Sequence, residues 1–306
     1  MSANEPILGG MAQTAADRST PLLRPGNSNC GGCGMSVGLQ FLSRAIAGTP
    51  VQLVIPACCA AVAAGPFPTS GYGAPVFSST FASAAAVATG LAHVARLNGE
   101  KTRVVCFVGD GGTYDIGMAT VSAAAERDED LLYVCYDNEI YGNTGGQRSS
   151  ATPRGATTTT TPRGSELEKK DILAIMAAHR VPYVASISLA HPDDALRKLR
   201  FALDAKGFRF VHMLAPCPTG WKSEPADSIE LIRLAVRSGL YAVYEVFEGS
   251  RVVINVEPEH SDAALERYLG MQGRFRKSGV ELASVRAGVE RSWRELRARS
   301  ALGGPG

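Results

Sequence analysis

Residues 103–112 read RVVCFVGDGG and residues 130–138 read DLLYVCYDN. Each is a short, β-branched and aromatic run that stops at a turn carrying glycine, aspartate or asparagine, the signature of a buried strand. Residues 116–126 lie between them with helical spacing, so the pair predicts a strand–helix–strand unit with parallel strands. The same alternation extends outward. Helix 35–46 leads to strand 51–55, and helix 81–97 leads to strand 103–108. Helix 116–126 leads to strand 130–136. Beyond a long loop, helix 166–179 precedes strand 183–187, and helix 193–206 precedes strand 209–214. Apolar strands covered on both faces by helices give an α/β fold, a doubly wound parallel sheet, with no internal repeat. Residues 1–25 read as an extended arm, 26–222 as the α/β domain, and 223–306 as a C-terminal extension. That extension should contain a helix at 228–238 and a hairpin of 241–247 with 251–256. A final helix should bury Leu282, Val285, Val289, Trp293 and Leu296.

Composition narrows the function. The 306 residues carry 31 Lys+Arg against 29 Asp+Glu, a net charge of +2, with 45% hydrophobic residues. Such a chain folds and is not disordered. Its charge balance gives no footprint for nucleic acid or a membrane surface. No apolar run reaches the ~20 residues that span a bilayer. The alanine-rich stretch 82–95 is broken by Ser83, Thr89, Gly90 and His93 and reads as a helix packed through small residues. The first residues, MSANEPILGGMAQ, have neither the basic start nor the apolar core of a signal peptide, so a cytoplasmic protein is expected.

In an open parallel sheet, ligands bind beyond the carboxyl ends of the strands. Cys58, Asp110, Asp137-Asn138 and Cys217 all fall at such ends. Gly109-Asp110-Gly111-Gly112 closes a strand and opens a helix, where glycine amides approach a phosphate and the helix start favours negative charge. Asn138 follows Asp110 by 28 residues, at the end of the next strand. A carboxylate and an amide oxygen so placed can share one hard cation, with diphosphate oxygens completing an octahedral Mg²⁺ shell. Together they match the thiamine-diphosphate signature. The loop 141–165, with five successive threonines, is too long for a bland connection and suits an anion or a partner surface.

The seven cysteines stand at 30, 33, 58, 59, 106, 135 and 217. Cys106 and Cys135 sit within apolar strands and read as buried. The Cys30-Gly-Gly-Cys33 turn alone fits zinc, a redox dithiol or an iron–sulfur cluster. No second C-x-x-C follows, and the chain offers instead Cys58-Cys59 and an isolated Cys217. Four thiolates among glycine amides suit a [4Fe–4S] cluster.

Taken together, GDGGTYDIG, YDNEIYGNTGGQRSSATPRG, CGGCG, IPACCAAVAAGPFP and APCPTGW closely resemble the β subunit of the pyruvate:ferredoxin oxidoreductase family, over roughly residues 22–256. The resemblance implies that Asp110, Asn138 and the main-chain carbonyl of Ile140 hold Mg²⁺. Gly111, Gly112, Asn143 and Thr144 would line the diphosphate beside Gly109. Cys30, Cys33, Cys58 and Cys217 would hold the cluster, Cys58 being preferred to Cys59 because it lies 25 residues after Cys33, as in relatives. The implied activity is oxidative decarboxylation of a 2-oxo acid to acyl-CoA, with electrons passed to ferredoxin. Pyruvate is the default substrate, and aromatic (phenylglyoxylate), branched-chain or oxalate substrates are the variants. The glutamate that activates the cofactor, the coenzyme A module and the outer clusters would belong to α, γ and δ type partner subunits, so no catalytic acid–base residue is assigned to this chain. One departure stands out: relatives often carry histidine before the first cysteine, where this chain has Gly26-Asn27. A non-redox thiamine-dependent lyase and a zinc-stabilised scaffold are the competing readings.

Overall fold

The computed structural model describes residues 21–46, 48–65, 70–277, 279 and 281–302; residues 1–20 of the expected arm lie outside them. Eight strands form one sheet: β1 (Val51–Pro56), β2 (Val76–Ser79), β3 (Arg103–Gly109), β4 (Leu131–Asp137), β5 (Tyr183–Ile187), β6 (Phe208–Leu214), β7 (Val243–Phe247) and β8 (Arg251–Val256). Their order is β2-β1-β3-β4-β6-β5-β7-β8. The first six pair in parallel, and β7 pairs antiparallel with both β5 and β8. The expected hairpin thus continues the same sheet.

Alternation along each strand divides the core between two faces. Leu53, Val105, Phe107, Leu132 and Val134 face α1 (Gly34–Ile46), α6 (Pro192–Asp204) and α8 (Ser228–Arg237). Val54, Val104, Cys106, Val108, Leu131, Tyr133 and Cys135 face α3 (Ala84–Leu97), α4 (Met118–Glu126) and α5 (Ile172–Ala178). Truncating one such fully buried aliphatic side chain to alanine costs roughly 2–5 kcal/mol. The last helix, α10 (Leu282–Leu302), buries Val289, Trp293 and Leu296 on this second face, while Leu282 and Val285 stay half-exposed. No helix among the described residues is long and apolar enough to cross a membrane.

Three expectations are corrected. The helix expected from 166 begins only at Ile172, capped by Asp171, whose carboxylate accepts from Ala174 N at 2.9 Å. Just before it Lys169 and Lys170 are drawn inward instead, reaching the buried oxygens of Asp137, Glu139 and Tyr114, while residues 166–168 stay exposed. The helix expected from 116 begins at Met118, after a π-turn at Gly111–Asp115; such turns recur at functional sites. The short edge strand β2 and the helices α2 (Cys59–Ala63), α7 (Pro218–Trp221) and α9 (Asp262–Gly270) were not expected.

Candidate functional site

Strands β1, β3, β4 and β6 stand side by side. Cys58, Asp110, Asn138 and Cys217, each within three residues of its strand's end, therefore share one edge of the sheet. With strands about 4.8 Å apart, four neighbouring ends span about 15 Å. Far-apart segments of sequence thus meet at a single place.

At the end of β3, Asp110 is buried and accepts a short hydrogen bond from Ser149 Oγ. Burial and the neighbouring Asp137 carboxylate push its pKa well above the usual carboxylate range. Gly111 is obligatory, because a Cβ there would stand 2.1 Å from the Tyr141 ring. That ring is in turn held by its hydroxyl, which donates to Asp115 Oδ2 at 2.7 Å. At the end of β4, Asn138 Oδ1 accepts from Ile140 N at 3.3 Å. The Ile140 carbonyl accepts no hydrogen bond from any described residue. Asn143 and Thr144 lie exposed at the tip of the following loop, where Thr144 Oγ1 donates to Gln147 Oε1 at 2.6 Å. The threonine run folds back on this loop: Thr159 N donates to Gly146 O at 2.9 Å.

Behind the turn, Asp137, which the sequence placed at its strand's end, joins buried and half-buried charges that the sequence did not single out. Asp137 pairs with Lys169 (2.6 Å) and His212 (2.9 Å), and Tyr114 donates to it at 2.9 Å. Burial disfavours the Asp137 carboxylate, but Lys169 and His212 outweigh it and hold its pKa below the usual range. Glu139 pairs with Lys169 (2.8 Å) and with Arg274 (2.6 Å) from the C-terminal part of the chain. Burial opposes the Lys169 charge, yet Asp137 and Glu139 raise its pKa above that of a free lysine.

The thiols flank the Asp110–Asn138 pair: Cys58 follows β1 on one side of it and Cys217 follows β6 on the other. Gly34 N donates to Pro216 O at 2.9 Å, which seats the Cys30–Cys33 turn on the Cys217 turn. Cys217 Sγ accepts from Gly220 N at 3.4 Å. Cys58 is buried, which pushes its thiol up; the Tyr136 hydroxyl and the backbone of Ala61, Ala60 and Gly109 act against that. Cys59 Sγ lies on the side of Asn138 and Cys217: a Cβ on Gly142 would stand 3.4 Å from Cys59 Sγ, 3.6 Å from Asn138 Nδ2 and 3.9 Å from Cys217 Sγ. Burial first, then Cys217 and the other nearby thiols, push Cys59 up to about 12. Cys106 and Cys135 are fully buried in the second core face, away from this edge.

These donor sets fit the two groups implied. A carboxylate, an amide oxygen and a carbonyl that accepts from no described residue are the hard oxygens that Mg²⁺ prefers. Burial pushes the thiols of Cys33, Cys58 and Cys217 up, and backbone donors near each sulfur work against it, toward the thiolate that ligates iron. Among the described residues, no group of three or more His, Cys, Asp or Glu side chains is arranged around a single metal ion.

Residues 58–213 match the family described as "Thiamine pyrophosphate enzyme, C-terminal TPP binding domain". The ketoisovalerate oxidoreductase subunit VorB of Pyrococcus furiosus is 40% identical over 285 residues, covering 89% of this chain and 91% of the relative. The pyruvate synthase subunit PorB of Methanothermobacter marburgensis is 41% identical over 282 residues, covering 90% and 97%. A solved 2-oxoglutarate:ferredoxin oxidoreductase from Magnetococcus marinus, 22% identical, superposes with a TM-score of 0.59 over 85% of this chain and 91% of its own, and shares the fold. The chain belongs to the 2-oxo acid:ferredoxin oxidoreductase family, as one of its thiamine-diphosphate-binding β subunits.

Proposed function

We propose that this chain is the subunit at which a CoA-acylating 2-oxo acid:ferredoxin oxidoreductase binds Mg²⁺–thiamine diphosphate and one [4Fe–4S] cluster. The single observation that carries the reading is the adjacency of four strand ends, which puts the Asp110–Asn138 pair and the cysteines on one edge. When bound, thiamine diphosphate supplies the decarboxylation of a 2-oxo acid, and a cluster beside it takes up the electrons released. Asp110, Asn138 Oδ1 and the Ile140 carbonyl would hold the cation against the diphosphate. Gly109, Gly111, Gly112, Asn143 and Thr144 would line that diphosphate with amides and polar side chains. Cys30, Cys33, Cys58 and Cys217 would hold the cluster, with Cys58 taken over Cys59 for its 25-residue step after Cys33.

The substrate is a 2-oxo acid, pyruvate by default. Relatives named for pyruvate and for ketoisovalerate stand at nearly equal identity, which supports the class and leaves the side chain open. α, γ and δ type subunits would supply the activating glutamate and the coenzyme A and ferredoxin connections. Seven free thiols suit a reducing cytoplasm. The test is anaerobic co-purification with the partner subunits, followed by assay of a panel of 2-oxo acids with coenzyme A and a viologen dye. Turnover dependent on both coenzyme A and dye is expected with the complex and not with the isolated chain. Aldehyde release without dye reduction would favour the non-redox lyase.

A further inference from the structure

The turn that presents Asn138 and Ile140 has Glu139 at its centre, with φ at 62°. Residues other than glycine seldom take this left-handed conformation, and they keep it only where their surroundings enforce it. Here four hydrogen bonds do so. Glu139 N donates to Asp137 Oδ1 (2.9 Å), and Ile140 N to Asn138 Oδ1 (3.3 Å). Trp221 Nε1 donates to Asn138 O (2.8 Å), and Thr152 Oγ1 to Glu139 O (2.7 Å). The Glu139 carboxylate is gripped on one oxygen by Lys169 and on the other by Arg274.

Arg274 does more than neutralise a carboxylate. Its guanidinium, almost wholly buried, stands 4.2 Å over the ring of Trp221, the same indole that donates to Asn138 O. Trp221 ends the helix that opens at Cys217. One planar cation therefore touches both the side chain at the centre of the Asn138 turn and the indole that ties that turn to Cys217. Arg274 is itself fixed: its Nε donates to Gln272 Oε1 at 2.9 Å, and its carbonyl accepts from Thr157 N at 2.8 Å and Thr157 Oγ1 at 2.9 Å.

The geometry points to Arg274 as a positioning residue for the cation site: through Glu139 and Trp221 it sets the turn so that Asn138 Oδ1 and the Ile140 carbonyl are oriented before a cation arrives. This rests on the reading of Asp110, Asn138 and Ile140 as the Mg²⁺ ligands. Without the guanidinium, Glu139 keeps only Lys169, the indole loses the cation stacked on it, and the cation must order the turn as it binds. Partners of this kind, one step behind the ligands, typically change metal affinity 10–100-fold when removed.

The experiment uses the complex of the full chain with its partner subunits, stripped of cofactor by chelation. Mg²⁺ is titrated at fixed thiamine diphosphate, cofactor binding is followed by calorimetry, and the melting temperature is taken in parallel. Arg274→Met should raise the half-saturating Mg²⁺ by about tenfold or more. Arg274→Lys keeps a charge but not the stacked fork, and should raise it by about threefold. A merely structural role would lower the melting temperature and leave the half-saturation point of the folded complex unmoved; that result overturns the inference. If the methionine variant does not assemble, an unmoved half-saturation point in Arg274→Lys overturns it equally. Asp110→Ala separates the two levels. Mg²⁺-dependent binding that survives in Asp110→Ala defeats the ligand reading itself, whereas binding lost there but unmoved in both Arg274 variants defeats only the positioning role.

Discussion

At the ends of β3 and β4, the polar groups around the turn already have protein partners: Asp110 has Ser149, Asp137 has Lys169 and His212, and Glu139 has Lys169 and Arg274. Around the ends of β1 and β6 the side chains that matter are thiols, ranging from buried Cys58 to exposed Cys30, and what meets them is neutral: backbone amides such as Gly220 N at Cys217, and the hydroxyls of Ser36 at Cys33 and Tyr136 at Cys58. The difference teaches where order comes from. The proposed cation site, at the two central strands, is built by the protein, with two neighbouring carboxylates of opposite fate: burial and the neighbouring Asp137 raise Asp110, while Lys169 and His212 hold Asp137 low. The thiol site, drawn from both flanking strands, is a set of loops brought near one another, and an inserted cluster would supply the remaining order.

The most severe way to break this comparison is at Asp110. Asp110→Ala removes the only carboxylate of the proposed cation set, and Mg²⁺-dependent cofactor binding should fall by more than the roughly 100-fold reached by changes one step behind a ligand. Calorimetry on the stripped complex measures it, and wild-type occupancy in the variant refutes the assignment. Next come the thiols. Alanine at Cys30, Cys33, Cys58 or Cys217 should bleach the chromophore and deplete iron from the anaerobically purified chain. Alanine at Cys59, Cys106 or Cys135 should leave iron in place. Loss of iron in Cys59→Ala with retention in Cys58→Ala would exchange the two assignments and make the Gly142 contacts, not the 25-residue step from Cys33, the better guide.

Hydrogen exchange sharpens the contrast between the two sites. Removing the cluster should raise exchange in residues 28–34 and 58–64, whereas removing Mg²⁺ and thiamine diphosphate should leave the amides of 139–141 protected. Equal loss of protection at both sites would mean that neither is built in advance. The mildest test sits at the junction. Gly142 has room for a Cβ at ordinary contact distance from Cys59, Asn138 and Cys217. Gly142→Ala should keep both groups and gain about 0.5 kcal/mol of stability from a less flexible unfolded chain. A melting temperature below wild type would show that the two sites are packed more tightly together than these distances imply.

Much of this architecture is legible in RVVCFVGDGG and DLLYVCYDN, because buried parallel strands advertise themselves as short apolar runs, and their ends mark the ligand edge. The supports of the site are not legible, for physical reasons. Lys169 stands in the run ELEKKD, which reads as a solvated charged helix start, and Arg274 in GRFRK, which reads as basic surface. Both are drawn inward by Glu139, and Arg274 lies 135 residues from it in sequence. A partner so distant leaves no local pattern. The shortened α5 has the same origin, since an ideal helix from residue 166 would compete with the inward reach of Lys169. The short strand β2, Val76–Ser79, escaped notice because it is an edge strand with little burial to impose alternation.

The central claim is that one sheet edge carries both the cation–diphosphate site and the cluster. It is tested most directly by electron paramagnetic resonance on the reduced complex with Mn²⁺ in place of Mg²⁺. With four adjacent strand ends spanning about 15 Å, Mn²⁺ held by Asp110 and Asn138 should broaden and speed the relaxation of one cluster signal, and that signal should be the one missing from Cys217→Ala. A Cys217-dependent signal indifferent to Mn²⁺, in a complex shown to have bound it, would contradict the account.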